Sequence, residues 1–309
     1  MEKLIFTVTE IDANNRIDKY LKKQLSNAPL SFIYRLFRLK DVRVNHKKVD
    51  VDYILNIDDE ITIFLTTDQK NEFITEYKFV KVPLTSSIIY EDENILVINK
   101  KRAILVHPDI HEQNNTLNNQ VLTYLYEKQE FDPKSRAYVP SPINRIDKNT
   151  SGVVIFAKKQ EIHQKLSKAL HDNTVIREYM ALAHGDLKED GEIVSNLVKD
   201  EKRGLVHVEE SGKKSITQYE VIQRFGKYTL LKVTLKTGRS NQIRVHLSSI
   251  NHPLVGDHKY GREDQFKTLC LHHSRITFNR LSGIAEYLNH KDLKAPLPKD
   301  FEDIIHNIE

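Results

Sequence analysis

The sequence predicts an α+β protein with a mixed, largely antiparallel main sheet, preceded by a small α/β domain. Three observations lead there. A short unbroken apolar run, Val153 to Ala157, follows the small-residue turn Thr150-Ser151-Gly152, which is the pattern of a buried strand. Two β-rich segments, Ser215 to Phe225 and Tyr228 to Lys236, meet across the tight turn Gly226-Lys227. Consecutive strands joined by such turns, with only occasional helices between them, argue against a regular βαβ array.

Length and composition bound the reading. A chain of 309 residues suggests two domains, at roughly 100–200 residues each. Apolar content of 39% with 29% charged residues describes a soluble globular protein, and no apolar run approaches the roughly 20 residues of a membrane helix. The opening Met1-Glu2-Lys3-Leu4-Ile5-Phe6 lacks the basic-then-apolar pattern of a secretion signal. A single cysteine, Cys270, excludes an internal disulfide and a cysteine zinc cluster, so a reducing cytoplasm is expected. Its place in Leu269-Cys270-Leu271 predicts a buried, inert thiol.

The net charge of +4 is unevenly spread. From Arg16 to Lys48 ten Lys or Arg stand against two acids, a net of +8, leaving −4 for the rest. Such a concentration is the footprint of a polyanion-binding face, with a solvated helix face as the plain alternative.

In order along the chain, residues 1–12 read as extended, with Leu4, Phe6 and Val8 alternating. Ile17, Tyr20, Leu21 and Leu25 fall at helical spacing, and Ser26-Asn27-Ala28-Pro29 ends that helix. Ser31 is a candidate cap for a second helix carrying Phe32, Ile33, Leu36 and Phe37. Val42 and Val44 make a strand turned by His46-Lys47-Lys48, and Ile61 to Phe64 make another. The segments Arg16-Ile17-Asp18-Lys19-Tyr20-Leu21, Val42-Arg43-Val44-Asn45 and Asp59-Glu60-Ile61 resemble the S4-like RNA-binding domain. That resemblance implies RNA binding by residues 13–65, through Arg16, Lys19, Arg35, Arg38, Lys40 and Arg43. Phosphate contacts of this kind supply affinity and positioning more than sequence choice.

Polar residues 66–82 read as a linker, and residues 83–309 as the second domain. Within it, Ile88 to Tyr90 and Ile95 to Ile98 suggest a hairpin. Leu117, Val121, Leu122 and Leu125 suggest a helix, as do Ile162, Leu166, Ala169 and Leu170 after the central apolar run. Ile176 to His184 reads as a strand and Asn241 to Ile250 as a helix, with Ser240 or Asn241 as its cap.

Three stretches carry candidate chemistry. Asp147 stands between Arg145 and Lys148 at the mouth of the apolar run, where a carboxylate must be paired or hydrogen-bonded. Tyr179 lies on an otherwise core-bound strand in Arg177-Glu178-Tyr179. Arg239 and Arg244 follow Gly238, five apart across a turn, and need not share a face, so one could reach phosphate while the other reaches a buried carboxylate. Each has a bland reading: a surface ion pair, a packed tyrosine, surface arginines. Together, Arg-Ile-Asp-x-x-Thr-Ser-Gly, Arg-Glu-Tyr-x-Ala-Leu, Thr-Gly-Arg-x-x-Gln-Ile-Arg-Val-His, Gly256-Asp257-x-x-Tyr260-Gly261 and Leu271-His272 resemble the RluA-type pseudouridine synthases, from about residue 86 to about 300. Two departures stand beside the site: Asn144 and Asn241 occupy positions where the family has histidine, which bears on substrate choice or rate.

The resemblance implies an isomerase that breaks the base-to-ribose bond of uridine, turns the uracil and rejoins it through carbon 5. It assigns Asp147 as the essential carboxylate, which could attack the sugar, attack the uracil or remove a ribose proton. Arg244 is the expected partner of that carboxylate. Tyr179 would stack on the uracil and help move the carbon-5 proton. Arg145 is a candidate wedge or phosphate contact when the uridine leaves its helix. Neither a metal nor a nucleotide cofactor is expected: Pro108 breaks the helical spacing of His107 and His111, and no phosphate-cradling Gly-x-x-x-x-Gly-Lys loop occurs. His272 and His273 are expected in the core or at the pocket. The expected substrate is RNA, ribosomal ahead of transfer. The alternative is a non-catalytic RNA-binding or ribosome-assembly factor on the same fold.

Overall fold

The computed structural model describes residues 2–8, 12–25, 27–74, 79–133, 138–200 and 203–308. The chain divides into two compact units, Met1–Phe79 with Lys128–Val139, and Val80–Glu127 with Pro140–Glu309. The division differs from the 13–65, 66–82 and 83–309 segments read from the sequence. Residues Lys128–Val139 join the first unit, and the expected linker contains the helix Thr67–Phe73. A capping box between Thr66 and Gln69 starts that helix, and Phe73 packs its ring 4.5 Å from that of Phe32. Positions 75–78 of the expected linker, and Ser26 of the expected helix break, lie outside the described residues.

In the first unit an antiparallel sheet orders Glu2–Thr7, Glu60–Leu65, Val42–Val44 and Lys47–Lys48. The helices Ile17–Gln24 and Leu30–Arg38 belong to the same unit. Ile17, Leu21, Ile33, Ile61 and Ile63 are fully buried in one apolar cluster, as their spacing predicts. Ser31 is not the cap: Pro29 occupies that position and Ser31 lies inside the helix. Asn45 and His46, both in the left-handed region, make the hairpin turn, so Lys47 and Lys48 belong to the strand.

The second unit is built on a sheet ordered Leu205–Val208, Gly191–Asp200, Lys213–Arg224, Tyr228–Leu235, Val175–His184, Leu271–Phe278, Ser151–Ala157, Ile95–Lys100 and Ser87–Glu91. Its pairings are antiparallel except one: Leu271–Phe278 runs parallel to Ser151–Ala157, His273 opposite Gly152. All seven residues of Ser151–Ala157 are buried, which explains the unbroken apolar run. The helix Gln160–His171 follows this strand, and its Ile162 and Leu166 share an apolar cluster with Val153 and Ile155. Sequence reading missed the strands Gly191–Asp200 and Leu205–Val208, whose alternation is interrupted by polar residues. It also missed the terminal helix Lys299–Ile308. Among the described residues no helix is long and apolar enough to cross a membrane.

Gly152 has φ +117°, and a Cβ there would lie 2.2 Å from the carbonyl oxygen of His273. Gly152→Ala is therefore expected to destabilise the protein by roughly 3 kcal/mol or more. A denaturant titration measures this, and a variant within about 1 kcal/mol of wild type, on the scale of an ordinary surface substitution, would contradict it.

Candidate active site

Asp147 lies in the loop that leads into the central strand. The loop is tied down on both sides. Thr150 N donates to Asp147 O at 3.1 Å. Asn144 donates from Nδ2 to Val153 O at 3.0 Å, while its Oδ1 accepts from Ile155 N at 2.9 Å. Asn144, at one of the two departures from the family pattern, thus clamps the loop to the buried strand. Behind the loop the Lys100 side chain is fully buried, and its Nζ donates to the carbonyls of Lys101, Ile104 and Lys148 at 2.9, 2.8 and 3.1 Å. Burial pulls the Lys100 pKa down to about 7, partly offset by the charge of Asp147. Three carbonyl acceptors match the three N–H bonds of an ammonium.

Arg244 sits in the first turn of the helix Gln242–Ser249. Its main partner is Asp257, engaged in a fork of Nε to Oδ2 at 2.8 Å and Nη2 to Oδ1 at 2.7 Å. The remaining Nη1 reaches Asp147 Oδ2 at 3.4 Å and Asn241 Oδ1 at 3.2 Å. Burial pulls the Arg244 pKa down, but the hydrogen bonds and charge of Asp257, with Asp147 behind, outweigh it and leave it raised. Asp257 moves the other way: burial raises it, and Arg244 with two backbone N–H groups brings it below the ordinary carboxylate value. The expected pairing of Arg244 with Asp147 is therefore present but long. Asp257 carries the close pair, and only the motif Gly256-Asp257-x-x-Tyr260 could have pointed to it.

The turn before this helix is shaped by Gln242. Its Oε1 accepts from Arg239 N and Thr237 Oγ1, both at 3.0 Å, and its Nε2 donates to Ile216 O and Thr217 Oγ1 at 3.0 and 2.9 Å. Asn241 holds the N-cap position with φ +53° but makes no side-chain cap; its Nδ2 donates instead to Tyr260 Oη at 2.9 Å. The Tyr260 ring in turn lies 4.9 Å from the Arg244 guanidinium.

Tyr179 is 7% exposed, and its ring stacks on His273 at 4.4 Å and 18°. Burial raises its pKa above the ordinary phenol value, so the hydroxyl stays protonated at neutral pH. Burial pushes His273 down to about 3, a neutral ring whose Nδ1 lies 2.7 Å from Val153 O. His272, likewise buried and pushed down to about 4, bonds Ser151 Oγ at 2.9 Å.

Arg145, Asp147, Tyr179, Arg239 and Arg244 line one small cavity of about 60 Å³. The first four also line an adjoining cleft of about 480 Å³. Arg145 and Arg239 are exposed and carry no ion pair among the described residues. The six bases of the first unit are not alike. Lys19, Arg35, Arg38 and Lys40 are exposed. Arg16 is held by both carboxylate oxygens of Asp18 at 3.0 Å, and Arg43 is half-buried with its guanidinium 5.5 Å from the Phe64 ring.

A carboxylate beside a buried arginine, facing a tyrosine in a cleft edged with cations, defines an enzyme acting on a polyanion. The family described as RNA pseudouridylate synthase matches residues 94–249, and the chain belongs to it: it is an isomerase acting on RNA. An uncharacterized RNA pseudouridine synthase of Bacillus subtilis is 31% identical over 100% of this chain and 99% of its own length. The ribosomal large subunit pseudouridine synthase C of Vibrio vulnificus is 32% identical over 98% and 96%. The ribosomal large subunit pseudouridine synthase D of Buchnera aphidicola is 36% identical over 85% and 80%. The solved human RNA pseudouridylate synthase domain containing 4 shares the fold with a TM-score of 0.57 and 20% identity, over 72% of this chain and 92% of that one.

Asp257→Asn should cost about 3–5 kcal/mol, because it leaves the Arg244 charge buried without its partner. Lys100→Met should cost about 2–3 kcal/mol by orphaning three carbonyls. Chemical denaturation of both reads the order; near-neutral effects would mean that neither group braces the site.

Proposed function

We propose that the chain converts uridines of ribosomal RNA to pseudouridine, with Asp147 as the essential carboxylate. The observation that carries the assignment is the convergence of Asp147, Tyr179 and Arg244 on one small cavity, in a chain of this family. Ribosomal RNA is favoured over transfer RNA by the names of the relatives from Vibrio and Buchnera. The cytoplasm is the proposed compartment, supported by a lone Cys270 that is buried, its thiol pushed up to about 12 by that burial.

Arg244, clamped by Asp257, presents Nη1 to Asp147 and orients a carboxylate that is otherwise open to the cleft. The reaction breaks the N1–C1′ bond, forms a C5–C1′ bond, and exchanges the C5 hydrogen for one at N1. Tyr179, backed by His273 on one face, offers the other to the uracil. Its hydroxyl makes no hydrogen bond among the described residues. It can accept the C5 proton only while giving up its own, so it acts as a relay that passes a proton to water while N1 takes one from water. Arg145 and Arg239 supply phosphate contacts at the rim. The first unit, read as an S4-like domain, adds affinity through Lys19, Arg35, Arg38 and Lys40, whereas Arg16 and Arg43 are engaged within the unit.

Tritium release from carbon-5-labelled uridine, in total RNA of cells lacking the protein, tests the reaction. Wild type should release label and Asp147→Ala should not, while both bind RNA. Bound RNA with no release by wild type would move the protein to the assembly-factor reading. Tyr179→Phe should keep binding and lose about a hundredfold in rate. Arg35→Ala and Arg38→Ala should each weaken binding and make its salt dependence shallower, by about 0.9 for each phosphate that the helix ceases to neutralise; unchanged slopes would remove RNA binding from that helix.

A further inference from the structure

One arginine of the cleft is buried and, among the described residues, has no carboxylate partner. Arg177 is 9% exposed and lines the larger cleft. Its Nη2 donates to Asn173 Oδ1 at 3.2 Å, the one hydrogen bond its side chain makes among the described residues. Its Nε is buried without a partner. Burial accordingly pulls its pKa below the ordinary arginine value, only partly offset by Tyr179. A cation left in this state is strongly destabilising, and a group so costly calls for an anion from outside the protein.

The surroundings hold the guanidinium in place without neutralising it. Asn173, in the left-handed conformation at the end of the helix Gln160–His171, presents its amide oxygen. Gly238 makes room: a Cβ there would lie 2.5 Å from Arg177 Nη1. The cleft is lined by three arginines, 145, 177 and 239, against one carboxylate, Asp147. Arg177 and Tyr179 are two residues apart on the strand Val175–His184, so they share a face of the sheet at a spacing on the order of 7 Å.

We propose that Arg177, held by Asn173 and seated against Gly238, binds a phosphodiester of the RNA strand adjacent to the uridine at Tyr179. The assignment rests on the uridine-isomerising reading of the cleft, and adds to it a buried subsite for the backbone. Arg177 here is a binding residue that fixes the register of the strand, so the correct base stands over Asp147.

The test is equilibrium binding of a short fluorescein-labelled oligouridylate to the full chain, by anisotropy, across a range of salt. Arg177→Met should bind about tenfold more weakly, with a salt slope shallower by about 0.7. Its thermal midpoint should equal or exceed that of wild type, because an unpaired buried charge has been replaced by an apolar chain. Gly238→Ala, which keeps every charge and displaces only the guanidinium, should lose part of the affinity, and Arg177→Lys should recover the slope. Replacing phosphates one at a time by neutral methylphosphonate should weaken wild type at one linkage and leave Arg177→Met indifferent there. An unchanged affinity and slope in Arg177→Met overturns the proposal, as does a lowered midpoint with an unchanged slope, which marks a structural arginine. Tritium release run in parallel separates the two levels. Release by wild type with binding independent of Arg177 sinks the subsite alone. An Arg177-dependent slope without release supports the subsite and sinks the isomerase reading of the cleft.

Discussion

The active-site side of the sheet depends on how closely Gly152 approaches the backbone of His273. Only a residue without a Cβ fits there, and the fit allows Ser151–Ala157 to run parallel to Leu271–Phe278. That single parallel pairing in a mostly antiparallel sheet fixes where the preceding loop, with Asp147, enters the strand. On its other edge Leu271–Phe278 pairs antiparallel with Val175–His184, with His273 across from Tyr179, and the two rings stack. The strand Leu271–Phe278 therefore lies between the strand that follows Asp147 and the strand that carries Tyr179.

Electrostatics then separates two kinds of arginine. Arg244 commits its Nε and Nη2 to Asp257, which offsets the cost of burying both charges, and turns Nη1 to Asp147 and Asn241. Asp147 is consequently contacted at one oxygen and not locked in a bidentate pair. Arg177, by contrast, is held by a neutral amide. One charge is already answered inside the protein, and the other is not.

Much of this was legible in the sequence because it is local. The turn before Val153, the apolar run, the helix behind it and the Tyr228 hairpin are all written in contiguous residues. Asp147, Tyr179 and Arg244 stand out only as members of motifs agreeing in order, since each alone has a commoner structural explanation. Asp257 and Lys100 escape a sequence reading for a physical reason. Asp257 matters through a guanidinium on another element, and Lys100 through carbonyls that only the folded loop gathers. Asp257 is visible only as a member of a motif, and Lys100 carries no local pattern distinct from a surface charge. The caps differ as well: Pro29 stands at the cap position expected of Ser31, and Asn241, at its cap position, turns its side chain to the tertiary partner Tyr260. The merging of Lys128–Val139 with the first unit is likewise a long-range event that no composition change announces.

Lys100 gives the molecule an internal timer. Its amine is sealed from water by the same loop that carries Asp147, since one of its three acceptors is the carbonyl of Lys148. Acylating reagents modify amines only where they can reach them, so exposed lysines are consumed at once while this one waits for the loop to lift. Local opening costs anywhere from almost nothing up to the global unfolding free energy, so the rate of modification reads where on that scale the loop carrying Asp147 lies. Bound RNA that steadies the loop slows that rate, so the chain's own lysine records how often the site breathes.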